Sequence, residues 1–322
     1  MQSPVFLDHL PDFEKIGGDK PARYRWQRNQ SLLQLLLDSE TIWTKRCACP
    51  ACGEQSTNCK SFSKALLDFQ RCTKCNSIFA QRVPTQEKLD QLRIELIEDG
   101  PPEKDREFEF ISLLNWVSIT EARIERSLDH VVDIRFSSQM AGWKETTERL
   151  SHNRTWDFID LSPDTCDFTD LSAALSQSSP KAVLLPVELD RVANPEMLLN
   201  AIKKSCPKQT VLFIASSCAD GLEYEILGAD SPSFVPLDRL TVFSISGLQS
   251  LCNKVGLSVL ECSTPGRLDA VILDTHFKSE ENSNIPFWSG FFKDADNNRL
   301  RDLQILLQRS QKSGILRFVA ET

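Results

Sequence analysis

The chain has 322 residues, 41% of them hydrophobic and 25% charged, with a formal net charge of −8. That length leaves room for a substantial core and one or two small accessory modules. The negative balance argues against a general affinity for nucleic acid, which needs clustered Lys and Arg to neutralise phosphates, and no apolar run approaches the length of a membrane span. The count of 11 cysteines is odd, and no charged-then-apolar segment opens the chain as a secretory signal does. A reducing cytoplasm is therefore expected, with the thiols serving metal or core.

Residues 1–42 form an N-terminal helical segment in which Trp26, Leu33 and Leu37 fall near one face of a helix over Tyr24–Leu37. Residues 43–84 contain two CxxC knuckles: Cys49 and Cys52 in CPAC, then Cys72 and Cys75 in CTKC. Two such knuckles about twenty residues apart place four thiolates around one tetrahedral ion, the arrangement of closed structural zinc sites. Gly53 and Asn76 follow the knuckles directly, where a positive φ is often needed. The alternatives are a disulfide pair or scattered core cysteines. Cys47 and Cys59 lie nearby, but neither forms a CxxC partner with the second knuckle. A closed site of this kind holds structure and leaves no open position for a substrate.

Residues 85–126 read as a helical linker. TQEKLDQLRIELIED is an amphipathic helix with Thr85 as N-cap, broken at Asp99-Gly100-Pro101-Pro102, and a second helix runs from about Phe108 to Arg126. From there apolar runs alternate with helical patterns. Strands are expected at 130–136, 155–161, 181–189, 210–216 and LSVLECST. Helices are expected at 140–150, PEMLLNAIKKSC and SGLQSLCNKVG, the last closed by Gly256 as a C-cap. This alternation predicts an α/β domain over 127–274, with a parallel sheet covered on both faces. Its ligands belong outside the carboxyl ends of the strands, just after Ile134, Leu161 and Leu189. Residues 275–322 form a C-terminal extension: a loop to about 297, a helix over Arg299–Ser310 and the strand ILRFVA.

Several segments carry a resemblance: CPACG with FQRCTKCNSIF, ELDRVANPEMLLNAIKK, then ADGLEYEILGADSPSFVPLDRLTVFSISGLQSLCNKVGL, STPGRLDAVIL and the C-terminal RDLQILLQRSQKSGILRFVAE. The chain resembles the zinc-ribbon-bearing class I methyltransferases that use S-adenosylmethionine. The resemblance implies a doubly wound, mostly parallel Rossmann-like methyltransferase sheet with an N-terminal zinc ribbon. It implies Zn²⁺ as a structural ion and S-adenosylmethionine as a cofactor.

The functional residues transfer less completely. In the family the first strand ends in an acidic residue and a D-x-G-x-G-x-G loop whose glycines let the backbone approach the cofactor. Here Asp133 survives, but Arg135, Ser137 and Gln139 stand where the glycines belong, and Gly142 comes too late to replace them. Asp160, ending the second strand, fits the place of the carboxylate that accepts from the ribose hydroxyls. Arg191 and Arg239 take the places of two histidines of the methyl-transfer cleft. A guanidinium does not act as a base there as a neutral imidazole does. His9, His130, His152 and His276 offer no replacement at matching positions, and His130 reads as a strand-edge structural residue. Glu223 and Glu225 read as a solvated face, and Arg267 and Asp269 as turn and strand geometry at a strand entry. Cys206, Cys218, Cys252 and Cys262 read as small core side chains.

The resulting expectation is a methyltransferase-like zinc protein with weakened or lost cofactor binding. It acts as a binding or assembly subunit beside a protein partner, an active relative or a second copy of itself. The alternatives are an active enzyme on a small-molecule acceptor, such as a sugar or polysaccharide precursor, and a zinc-ribbon protein whose large domain takes a different ligand.

Overall fold

A computed structural model describes residues 30–85, 87–89, 103–136, 142–151, 153–161, 168–186, 188–279 and 285–322. The expected helix at 24–37 is described from residue 30 onward, and of the helix expected at 85–99 only residues 87–89 are described. Ser137, Gln139, His9 and His152 lie outside the described residues. Among the described residues no helix is long and apolar enough to cross a membrane.

The cysteine-rich segment is built from β1 (Trp43–Lys45), β2 (Lys60–Lys64), β3 (Leu67–Arg71), β4 (Ile78–Ala80) and β5 (Arg82–Pro84). After it come α1 (Glu103–Ile124), β6 (His130–Arg135), α2 (Trp143–Leu150), β7 (Thr155–Asp160), α3 (Thr169–Ser178) and β8 (Ala182–Leu185). The chain continues with α4 (Pro195–Ser205), β9 (Val211–Ser217), α5 (Leu222–Leu227), β10 (Thr241–Val242), α6 (Ile245–Val255) and β11 (Ser258–Ser263). It closes with α7 (Asp269–Ser279), α8 (Pro286–Lys293), α9 (Asn297–Arg309) and β12 (Ile315–Glu321). Two helix ends follow from local chemistry. Asn194 accepts from the Met197 amide at the start of α4, with Pro195 at its first position. Gly256, at φ 78°, ends α6 in the left-handed conformation.

The main sheet has the order β11-β12-β9-β8-β6-β7. The pairs β6–β7, β6–β8 and β8–β9 are parallel, while β12 runs antiparallel to both β9 and β11. Five strands therefore share one direction, and the sheet is mostly parallel and Rossmann-like. Helices bury apolar residues on both faces. Leu198, Leu251 and Leu175 pack with Val183, Leu212 and Phe318 on one side, while Phe110, Trp116 and Trp143 pack with Leu184, Phe213 and Val319 on the other. Strand β6 lies between β7 and β8, so the chain departs from it in both directions. The crevice at the carboxyl ends of β6 and β8 is thus the topological switch point.

The cysteine-rich segment is continuous with this domain. Strand β10 pairs with β4 to extend its small sheet, order β10-β4-β3-β2. The buried Arg46 guanidinium donates to the Leu240 carbonyl (2.8 Å), the Ala193 carbonyl (2.6 Å) and Thr241 Oγ1 (3.1 Å). Cys49, Cys72, Cys75 and Phe79 belong to the same apolar cluster as Leu212 and Phe318 of the main sheet.

Two expectations are corrected. Arg267 and Asp269 do not enter a strand, because Asp269 begins α7. Ala270, Leu273 and Phe277 recur at helical spacing and bury against Leu300, Leu303 and Leu307 of α9, while the Asp269 carboxylate accepts from Ser313 Oγ and the Gly314 amide. The loop expected to about residue 297 contains α8, whose Phe292 is fully buried and stacks on Phe277 with ring centroids 5.3 Å apart.

Candidate functional site

The four predicted thiols converge. The Sγ atoms of Cys49, Cys52, Cys72 and Cys75 all lie within 4.8 Å of one another, with Cys49–Cys75 at 3.7 Å and Cys52–Cys72 at 3.6 Å. Four thiolates about 2.3 Å from one zinc ion stand about 3.8 Å apart, so the spacing fits a single tetrahedral ion. Each knuckle is closed by a backbone bond, Gly53 N to Cys49 O and Asn76 N to Cys72 O. Gly53 (φ 75°) and Asn76 (φ 67°) are both left-handed there, the conformation that Gly and Asn adopt at least cost. The hydrogen-bonding contact between Cys49 and Cys75 lowers the Cys75 thiol, with help from Ser77 and against burial, and raises that of Cys49.

At the switch point Asp133 and Arg135 point to the same face of β6, as residues two apart on a strand must. Asp133 is completely buried. Arg135 Nε donates to both of its carboxylate oxygens at 3.1 Å, and Trp143 Nε1 donates to Oδ2 at 2.8 Å. The Arg135 guanidinium carbon lies 3.7 Å from the centroid of the Trp143 ring, and its Nη1 donates to Glu109 at 3.3 Å. Burial pushes the Asp133 carboxyl above its usual range, against the opposing pull of Arg135. Burial also works against charge on Arg135, but the fields of Asp133, Glu109 and Glu188 outweigh it and hold the guanidinium charged. Asp160 ends β7 directly opposite Arg135 in the register and is half-buried. His130, at the other end of β6, bonds Asp157 at 2.8 Å and Ser178 at 3.1 Å.

Arg191 and Arg239, far apart in sequence, are brought into one network. Arg239 donates to the buried Asp190 at 2.8 Å, and Arg191 lies 3.3 Å from Asp238, which Arg239 also approaches at 3.6 Å. Asp190 further accepts from Ser216 Oγ and the Ser217 amide, both at 3.2 Å. Two carboxylates and two guanidinium groups thus neutralise one another beside the carboxyl end of β9.

Next to this network is a cleft of about 590 Å³, bounded by α1, the residues before α7 and the first residues of β12. Glu109, Glu223, Asp238, Arg239, Arg267 and Arg317 are among its lining residues. It lies at the carboxyl ends of the parallel strands, where ligands of such sheets are held.

Glu223 corrects an expectation. Rather than facing solvent it is 2% exposed, and it accepts from Ser231 Oγ, Ser233 N and Ser233 Oγ. Glu225 does sit at the surface, paired with Lys312. Burial pushes the Glu223 carboxyl from 4.5 up to about 7. Between those values the folded protein holds a proton that the unfolded chain has released. The contribution of this group to stability is therefore complete below about pH 4.5 and is lost as pH rises through about 7. Glu223→Gln removes that loss. Relative to wild type, its stability in urea is expected to improve by about 3 kcal/mol between pH 4.5 and pH 8, and a parallel pH dependence of the two proteins would contradict the buried, titrating carboxyl.

Sequence reasoning also missed Trp143, Glu109 and Arg317. Only Arg317 left a signal, as a lone charge inside the apolar strand ILRFVA.

No family model matches the chain, and no curated protein matches it. Solved structures do match in part. They include the plantazolicin methyltransferase BamL, in complex with a triazolic desmethylPZN analog and SAH (13% identity, 74% of this chain and 97% of that one, TM-score 0.39). A SAM dependent methyltransferase from Archaeoglobus fulgidus matches at 12% identity, over 65% of this chain and 94% of that one, with a TM-score of 0.34. Coclaurine N-methyltransferase bound to N-methylheliamine and SAH matches at 12% identity, over 65% and 72%, with a TM-score of 0.34.

Proposed function

We propose that this protein is a methyltransferase-like, zinc-binding subunit that does not hold S-adenosylmethionine in the family's usual way and acts by binding. The observation that carries this reading is Arg135. A buried guanidinium, locked between Asp133, Glu109 and the face of Trp143, occupies the position of the first loop glycine. It also engages Asp133, the one acidic residue left from the cofactor motif. The residues at this place do not fit the methionine end of the cofactor, so no methyl-transfer step is derived through it. The pairing of Arg191 and Arg239 with Asp238 and Asp190 points the same way, because it leaves no proton acceptor of ordinary basicity at those positions.

The cysteine cluster would hold Zn²⁺ with Cys49, Cys52, Cys72 and Cys75, and the ion would supply structure only, since all four positions are taken by protein ligands. A reducing cytoplasm, where thiols stay available to metal, belongs to the same reading. So does the division of the chain into a helical segment (1–42), ribbon (43–84), linker (85–126), methyltransferase-like domain (127–274) and C-terminal extension (275–322). The partner would be an active relative or a second copy of this chain.

An active methyltransferase on a small-molecule acceptor is the second reading, favoured by Asp160 at the end of β7 and by the size of the neighbouring cleft. Calorimetric titration of S-adenosylmethionine and its demethylated product into zinc-loaded protein separates the two. The wild type is expected to give no binding heat, and the Arg135→Gly, Ser137→Gly, Gln139→Gly triple variant is expected to bind. Micromolar binding by the wild type would sink the first reading and favour the second.

A further inference from the structure

On the wall of the cleft beside α1 stands an arginine, Arg317, with no ion-pair partner among the described residues. Each carboxylate on its wall is already committed within the protein: Glu109 to Arg135, Asp238 to Arg191 and Arg239, Asp269 to Ser313, Gln304 and the Gly314 amide, and Glu223 to Ser231 and Ser233. Arg317 has no such match. It projects from β12 onto the face covered by α1, where its guanidinium lies 4.7 Å from the centroid of the Trp116 ring. Its one hydrogen bond among the described residues runs from Nη2 to Ser112 Oγ at 2.9 Å. Its Nε is buried with no hydrogen-bond partner, and among the described residues no carboxylate is within ion-pair distance of it.

Arg267 lines the same cleft, with its guanidinium 4.3 Å from the centroid of the Phe108 ring. Burial, and then the like charge of Arg267, push Arg317 down to about 10, against the weaker attraction of Glu109 and Glu261. Two like charges have thus been placed together, one with no ion-pair partner among the described residues, in a cleft of the size that holds small metabolites. A guanidinium that rests its face on an aromatic ring presents its planar fork edge-on, and that fork matches the oxygens of carboxylate or phosphate.

We propose that this cleft binds a small molecule through a terminal oxyanion, a phosphate monoester or a carboxylate, gripped by Arg317 and Arg267. The anion meets the buried Nε and gives Arg317 the counter-charge that no carboxylate supplies by ion pairing among the described residues. Ser217, elsewhere on the cleft wall, is left to meet a polar group of the rest of the ligand. This inference is independent of whether S-adenosylmethionine binds, because it concerns residues outside the cofactor motif.

The test is calorimetric titration at low ionic strength with inorganic phosphate and, separately, with succinate, in the absence of S-adenosylmethionine. Wild-type protein is expected to bind one of the two saturably, and the preferred anion identifies the ligand as phosphate monoester or carboxylate. Arg317→Met and Arg267→Met are each expected to weaken that binding at least tenfold. The half-buried Arg267 decides the matter if the Arg317 variant does not fold. Binding of neither anion by the wild type up to about 50 mM, or equal binding by the wild type and both folded variants, would overturn the proposal.

Discussion

Cys72→Ser is expected to reduce bound zinc from one ion per chain to none and to unfold far more than the knuckle it belongs to. Structural zinc sites contribute about 10–16 kcal/mol of binding free energy, whereas a whole domain is stable by about 5–15 kcal/mol. The cluster is also not isolated. Cys72 and Cys75 lie in the apolar core with Leu212 and Phe318, and β4 carries the edge to which β10 is bonded. Loss of the ion should therefore release β10 and the Arg46 contacts with Ala193 and Leu240. The unfolding midpoint should fall by several kcal/mol equivalent, and a chelator should act on the wild type in the same direction. Unchanged zinc content in the purified variant, measured by elemental analysis, would remove the four-cysteine assignment.

Arg135→Met is the second large effect. It strands the Asp133 carboxylate, which is 0% exposed, with Trp143 as its remaining hydrogen-bond donor. Breaking a buried ion pair from one side costs about 3–5 kcal/mol, chiefly because the remaining charge is uncompensated. Asp133→Asn combined with Arg135→Met removes both charges, so the double variant is expected to recover a substantial part of that loss. Urea unfolding of the two single variants and the double closes the cycle. A single Arg135 variant within about 0.5 kcal/mol of wild type would mean that the pair does not organise the end of β6, and Arg135 would no longer account for a lost cofactor site.

Much of the sheet was legible because the parallel strands are short, continuous apolar runs. HVVDIR, KAVLL and TVLFIAS are buried on both faces and bounded by helical patterns. The knuckles were legible for a different reason, since metal geometry constrains spacing directly. The start of α7 was misread because PGRLD looks like a turn, and the i, i+3, i+7 apolar pattern of Ala270, Leu273 and Phe277 carries meaning only once α9 is there to receive it. Glu223 was misread because burial of a carboxylate depends on two serines eight and ten residues later folding back over it. Asp133 and Arg135 were visible as a pair on one strand face, but nothing in the sequence indicates that Trp143, eight residues further on, returns to them. The cleft was invisible as such: its walls come from segments more than two hundred residues apart, as the bond from Arg317 to Ser112 illustrates.

The position of β12 bears on how the molecule is made. Strands β9 and β11 are both bonded to it, yet it follows every other described strand in chain order. Until residue 321 has emerged, β9 and β11 each present an open edge facing the gap that β12 will fill, and such edges pair readily with other chains. Strand β11 therefore joins the sheet only once β12, made after it, is in place. Exposed strand edges of this kind are what make partly folded domains prone to aggregate.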